Sequence, residues 1–195
     1  RDFAYSSPSG GGITYHDFAT ICPRSQIYDV TVNSRDAFVY YTSAGSFVSF
    51  ESKGATDIEV TLNEKIDAVT VLPLKYGIEP EVDGNTLRFA LPREAKVLVD
   101  INQASTLGKE QLFVYANPVI AQKPNPDDPA VHFFKAGQVY EVGQLELDDG
   151  ETVYIEGGAV VRGNILATSV ENITIDGLGV IDGSYYKYKK GHPKT

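Results

Sequence analysis

Hydrolytic chemistry needs paired carboxylates, a metal-binding cluster or an activated nucleophile, and the chain carries isolated members of each class. Asp148-Asp149-Gly150 and Asp127-Asp128 are adjacent carboxylate pairs. An Asp-Gly step is a turn signal, so the first pair reads as a solvated turn, and the second, set among prolines, reads the same way. Asp176 and Asp182 each precede a glycine and read as turn caps. His16, His132 and His192 are dispersed, without metal-ligand spacing. Cys22 is the single cysteine; it cannot form an internal disulfide and reads as a buried, inert thiol. Gly10-Gly11-Gly12 lacks the Lys-Ser/Thr of a phosphate loop and follows no strand. No catalytic, cofactor-binding or metal-binding residue is assigned on these grounds.

Two further features bear on sugars. Tyr185-Tyr186-Lys187-Tyr188-Lys189-Lys190 is an aromatic and basic cluster, read as a loop in preference to a polysaccharide contact. Twelve tyrosines and no tryptophan leave Tyr5, Tyr15, Tyr28, Tyr40 and Tyr41 as stacking candidates, although tyrosine in a sheet is ordinary. Asn172-Ile173-Thr174 matches a glycosylation sequon inside an expected strand, where it reads as incidental.

The elements that would hold such residues are short strands. Ile27–Val32 alternates with period two, and runs follow at 38–42, 46–51, 57–62, 68–72, 81–82, 86–91, 96–101 and 111–115. Asp83-Gly84-Asn85 is a tight hairpin signal. These spacings predict a β-sandwich over residues 1–118. Three prolines between Pro124 and Pro129 cannot sit in a central strand, so 119–130 reads as a linker.

From 131 the pattern repeats at an offset of 20 residues. Val153-Tyr154-Ile155-Glu156-Gly157 aligns with Ile173-Thr174-Ile175-Asp176-Gly177, and Gly163 with Gly183. One period earlier, Phe133, Gly137, Tyr140 and Gly143 fall on Val153, Gly157, Val160 and Gly163. Short strands and glycine turns at this period predict a β-solenoid over 131–195. The fold class is therefore all-β, a sandwich followed by solenoid coils.

Length and composition bound the function. The 195 residues are 42% hydrophobic and 22% charged, which is globular. No apolar run approaches the ~20 residues of a membrane span. A net charge of -9 argues against nucleic acid and anionic membrane as partners.

The solenoid residues carry a resemblance. Val160-Val161-Arg162-Gly163 and the run Asn172 to Gly183 resemble the opening coils of the pectin-lyase-like right-handed parallel β-helix, as in glycoside hydrolase family 28, the polygalacturonases. His132 to Tyr140 is similar to the first coil shared with family 49, the dextranases and isopullulanases. Pro73 to Ile78, Val82 to Thr86 and Leu112 to Pro118 resemble the β-sandwich that precedes the helix in family-49-like enzymes. The resemblance implies a polysaccharide-degrading hydrolase that is secreted or periplasmic and needs no cofactor, with a polysaccharide as its partner.

Family 28 draws its catalytic groups from an Asn-Thr-Asp motif, an Asp-Asp pair, a Gly-His-Gly and an Arg-x-Lys on later coils, and these motifs do not occur here. The expectation is an N-terminal part of such an enzyme, inactive by itself, with either further coils or self-association covering the open end of the solenoid. The alternatives are a stand-alone carbohydrate-binding or adhesion module, and part of a polysaccharide lyase, since lyases share the β-helix.

Overall fold

A computed structural model describes residues 12–184. The protein is all-β, with 51% strand and 4% helix. It forms two compact units: the described residues through His16 with Pro23–Ile120, and Asp17–Cys22 with the described residues from Ala121 onward. Asp17–Cys22, expected within the N-terminal domain, thus belongs with the C-terminal unit.

In the first unit the strands are β1 (Ile13–Tyr15), β2 (Tyr28–Val32), β3 (Arg35–Ala37), β4 (Tyr40–Thr42), β5 (Gly45–Ser52), β6 (Thr56–Leu62), β7 (Val69–Leu72), β8 (Glu81–Asp83), β9 (Thr86–Leu91), β10 (Ala95–Ile101) and β11 (Leu112–Asn117). They form a six-stranded sheet, β1-β5-β11-β10-β7 with β4 on β5, and a five-stranded sheet, β3-β2-β6-β9-β8. All pairings are antiparallel except β5–β11. Period-two alternation buries Ile58, Val60 and Leu62 on β6, Leu87, Phe89 and Leu91 on β9, and Val97, Val99 and Ile101 on β10. Both sheets contribute to one core.

β3 was not expected, because Arg35-Asp36-Ala37 is not a strand-like run. It forms because Asn33 and Ser34 both take positive φ, 47° and 62°, the two-residue turn that suits a hairpin's twist. The Gly84-Asn85 turn joins β8 to β9 with Asp83 opposite Thr86, as the hairpin signal predicts.

In the second unit, β12 (Val131–Phe134), β14 (Thr152–Ile155) and β16 (Thr174–Gly177) stack as one parallel sheet. β13 (Val139–Leu147), β15 (Val160–Ala167) and β17 (Val180–Asp182) stack as another. The stacking confirms a repeat but corrects its register. Phe133 pairs with Tyr154 and Tyr154 with Asp176, offsets of 21 and 22 residues. Val160 pairs with Val180, an offset of 20. The register between β13 and β15 shifts from 21 to 20 between Glu141 and Gly143. A constant offset of 20 therefore misaligned Gly157 with Gly177, whose partner is Ile155. Phe134, Val153, Ile155 and Val161 form the core of this unit.

Close approach requires glycine at several positions, Gly163 and Gly177 among them. Gly163, at φ 150°, lies against Gly143, and Gly177, at φ 115°, lies against Ile155. A Cβ at either would run into the carbonyl oxygen of that neighbour. Gly137, at φ 73°, faces open space. We expect Gly177→Ala to destabilise the stack by about 3 kcal/mol or more, from backbone strain plus overlap. Gly137→Ala should cost only the ~1–2 kcal/mol of a left-handed residue. Urea unfolding followed by circular dichroism checks the ranking; equal costs would contradict the close approach.

Candidate functional site

The second unit uses its carboxylates at the corners of the stack. Asp176 accepts from the Gly177 amide at 2.7 Å and Asp182 from the Ser184 amide at 3.0 Å. Asp149 accepts from the Glu171 amide at 2.7 Å, and Asp128 from the Ala130 amide at 2.9 Å. The Asp128, Asp176 and Asp182 bonds are local to their own turns, whereas Asp149 reaches a residue 22 positions on. Glu151 takes the Asp148 amide at 2.9 Å and stands 3.1 Å from His132 Nε2. That amide, and then His132, hold its carboxyl below the usual range. Burial opposes ionisation of Glu156, yet Lys123 at 2.7 Å and the Ala136 amide at 2.9 Å hold it below the usual range as well. Lys123, from the proline-rich segment, is thus tied to a coil corner.

Along the second parallel sheet, Glu141, Arg162 and Asp182 stand in register. Arg162 bonds Glu141 at 2.7 Å and approaches Asp182 at 3.9 Å. Cys22 is buried in the same unit, and burial pushes its thiol up, with Arg162 partly offsetting this. A raised thiol is a poor nucleophile at neutral pH. Among the described residues no group of three or more His, Cys, Asp and Glu could hold a metal ion. Asn172, at φ 57°, is exposed before β16 and not inside a strand, so the sequon sits in a turn.

In the first unit His16 is buried, in a network that nothing in the sequence signals. The Asn117 amide donates to Ser49 Oγ at 3.1 Å, and Ser49 Oγ lies 2.9 Å from His16 Nδ1. His16 Nε2 lies 3.4 Å from Glu51 Oε1, while Glu51 Oε2 accepts from the Ile120 amide at 2.9 Å. With the proton on Nε2, every donor in this chain finds an acceptor. Such satisfaction, with all the groups buried, marks a structural network in place of a Ser-His-Glu hydrolytic site.

The tyrosine candidates divide. Tyr28 is buried and donates to the Glu110 carbonyl at 2.5 Å. Tyr15 donates to the Val32 carbonyl at 2.7 Å, with the Arg35 guanidinium 4.1 Å over its ring. Tyr40 is buried in a row of rings with Phe38, Phe47, Tyr115 and Phe113 on the six-stranded sheet, with centroids 5.1–6.4 Å apart. Tyr41 is exposed. Tyr5, Gly10, Gly11, the Tyr185–Lys190 cluster and His192 lie outside the described residues.

An open groove of about 860 Å³ lies on the five-stranded sheet. Thr31, Glu59, Arg88 and Glu81 stand in register across β2, β6, β9 and β8, on the side opposite the core. Asp57 flanks this row, and Tyr76 to Glu79 line the groove beside it. Glu59 and Arg88 are bonded at 2.6 Å. The sequence contains each residue but not the register that assembles them.

No family model matches the chain, and no curated protein matches it in sequence. Among solved structures it is similar to Dex49A from Penicillium minioluteum, a dextranase with a parallel β-helix. The TM-score is 0.65 at 15% identity. The match covers 93% of this chain and 52% of that one, so the chain spans about half the length of its structural relative. At that identity the likeness is one of fold. No helix among the described residues is long and apolar enough to cross a membrane.

Two outcomes follow from the buried groups. Glu51→Ala leaves the Ile120 amide and His16 without their acceptor and should cost about 3 kcal/mol, while Glu51→Gln, keeping one acceptor, costs less. Equal unfolding midpoints for the wild type and Glu51→Ala would disprove the network's role. Burial, then the Glu110 charge, pushes the Tyr28 hydroxyl up to about 12. Since this exceeds its unfolded value, stability present below pH ~10 is lost as pH rises towards 12. The ultraviolet titration difference between the wild type and Tyr28→Phe should place this tyrosine last among those resolved.

Proposed function

We propose that the chain is the N-terminal part of a polysaccharide-degrading glycoside hydrolase. In this reading residues 1–118 form a β-sandwich, 119–130 a proline-rich crossover, and 131–195 the first coils of a right-handed parallel β-helix. The observation that carries it is the likeness to Dex49A over 93% of this chain and 52% of that one. Two parallel three-stranded ladders in the second unit support the β-helix. Two sheets around one core support the sandwich.

The acid and base carboxyls belong, in this reading, to coils beyond these. Hydrolysis needs one carboxyl protonated and a second ionised at a set separation across the scissile bond. The corner carboxylates of the stack accept backbone amides, an arrangement that ties them to the backbone and suits a structural role better than a general acid. Ile175 and Ile181 on the third coil are 53% and 46% exposed, an apolar face onto which a following coil, or a second copy, would pack. Secretion or a periplasmic location is part of the same proposal.

The test is expression of the full coding frame that contains these residues. Release of reducing ends from dextran, pullulan or polygalacturonate is the expected result. Ultraviolet-absorbing unsaturated ends would assign a lyase instead. A frame that ends near residue 195, or an extended protein inert on all three polymers, overturns the reading. The 195-residue chain alone should turn over none of them; turnover abolished by one carboxylate substitution would move the active site into this half.

A further inference from the structure

We infer that the groove on the five-stranded sheet is a binding subsite for a neutral oligosaccharide. This rests on the polysaccharide reading above and assigns it a place in this half of the molecule.

The groove's volume, about 860 Å³, falls within the range of small-molecule clefts. Its floor is built from strand residues on a single face. Glu59 opposes Arg88 and Thr31, and Arg88 opposes Glu81, so donors and acceptors alternate across the strands. Adjacent strands are ~4.8 Å apart, which spaces these groups regularly. A guanidinium offers several fixed donors, and the carboxylates of Glu59 and Glu81 offer acceptors. Beside the floor, Tyr76 and Ile78 are half-buried against the core. A pyranose ring has the matching surface, with hydroxyls around its edge and C–H groups on its faces.

Charge selects among glycans. The lining carboxylates Glu59, Glu79 and Glu81 outnumber the Arg88 guanidinium, so a polyuronate would be repelled. A polycationic glycan would meet carboxylates but would also face Arg88 in the middle of the row. Hydroxyl groups can use both the guanidinium and the carboxylates, which favours the neutral ligand. The Glu59–Arg88 pair is exposed, so it adds little to stability and can present its remaining lone pairs and N–H groups to a ligand.

The test uses the 195-residue protein and four tetrasaccharides in calorimetric titration. Maltotetraose and isomaltotetraose are the neutral probes, tetragalacturonate the anionic one and tetraglucosamine the cationic one. Saturable binding is expected for at least one neutral probe and not for tetragalacturonate. Arg88→Met should weaken that binding at least tenfold and Glu81→Gln severalfold, with unchanged circular dichroism. Tyr76→Ala adds a third check, read only if it folds. The inference is overturned if neither neutral probe binds, if a charged probe binds more tightly, or if Arg88→Met and Glu81→Gln leave affinity unchanged. The two readings fail separately. Absent binding does not alter product release by the full coding frame. Binding by this chain beside an inert full-length protein would mark a stand-alone glycan module.

Discussion

A single buried carboxylate governs how the chain is threaded. The polypeptide leaves the first unit after His16 and again after Ile120, and Glu51 binds at both points. One oxygen faces the His16 ring and the other takes the Ile120 amide. Glu51 can do this because it lies at the end of β5, between β1 and β11, with Tyr15 opposite Phe50 and Asn117 opposite Glu51 itself. Burying a carboxylate is costly unless its lone pairs are filled, so the site has little tolerance for a different path of either segment. Ser49 and Asn117 extend the same constraint by fixing the other ring nitrogen of His16.

The second unit obeys another constraint, that each coil must lie on the one before. Parallel stacking puts equivalent backbone atoms at strand spacing, and a corner has no room for a side chain pointing into the neighbouring coil. Gly163 against Gly143 and Gly177 against Ile155 meet that demand by having no side chain. The outward corner residues meet it with carboxylates that cap free amides. Coil lengths of 20 to 22 residues follow, because extra residues are absorbed at corners and at an irregularity in one ladder. The shift between Glu141 and Gly143 absorbs one such residue inside a strand pair.

This difference explains what could be read from the chain. Period-two runs such as Thr56–Leu62 are local, and they revealed most strands. The repeat was visible because apolar positions recur, but its register depends on corner lengths that glycine positions alone do not reveal. β3 escaped because its cause is a pair of left-handed residues, Asn33 and Ser34, without the glycine that usually announces them. The membership of Asp17–Cys22 in the second unit is a tertiary fact with no local sign. His16, Ser49, Glu51, Asn117 and Ile120 span more than a hundred residues, and only folding makes them neighbours. The groove residues Thr31, Glu59, Arg88 and Glu81 became one row only through the strand register.

The carboxylates of the two units therefore differ in what they are free to do. In the stack, Asp149, Glu151, Glu156, Asp176 and Asp182 each take a backbone amide, and Glu141 takes Arg162. A carboxylate that organises a turn has its geometry set by its own chain, so moving it to serve a ligand would undo the corner. On the five-stranded sheet the geometry is set instead by the strands beneath. Arg88 projects from β9, which period-two alternation holds by its buried face, and Glu81 from the exposed strand β8 paired beside it. Their outward groups can be changed without disturbing Leu87 or Phe89 below them. That separation of support from surface is what a recognition site requires. It places the adaptable chemistry on the first unit and leaves the stack to carry the coils.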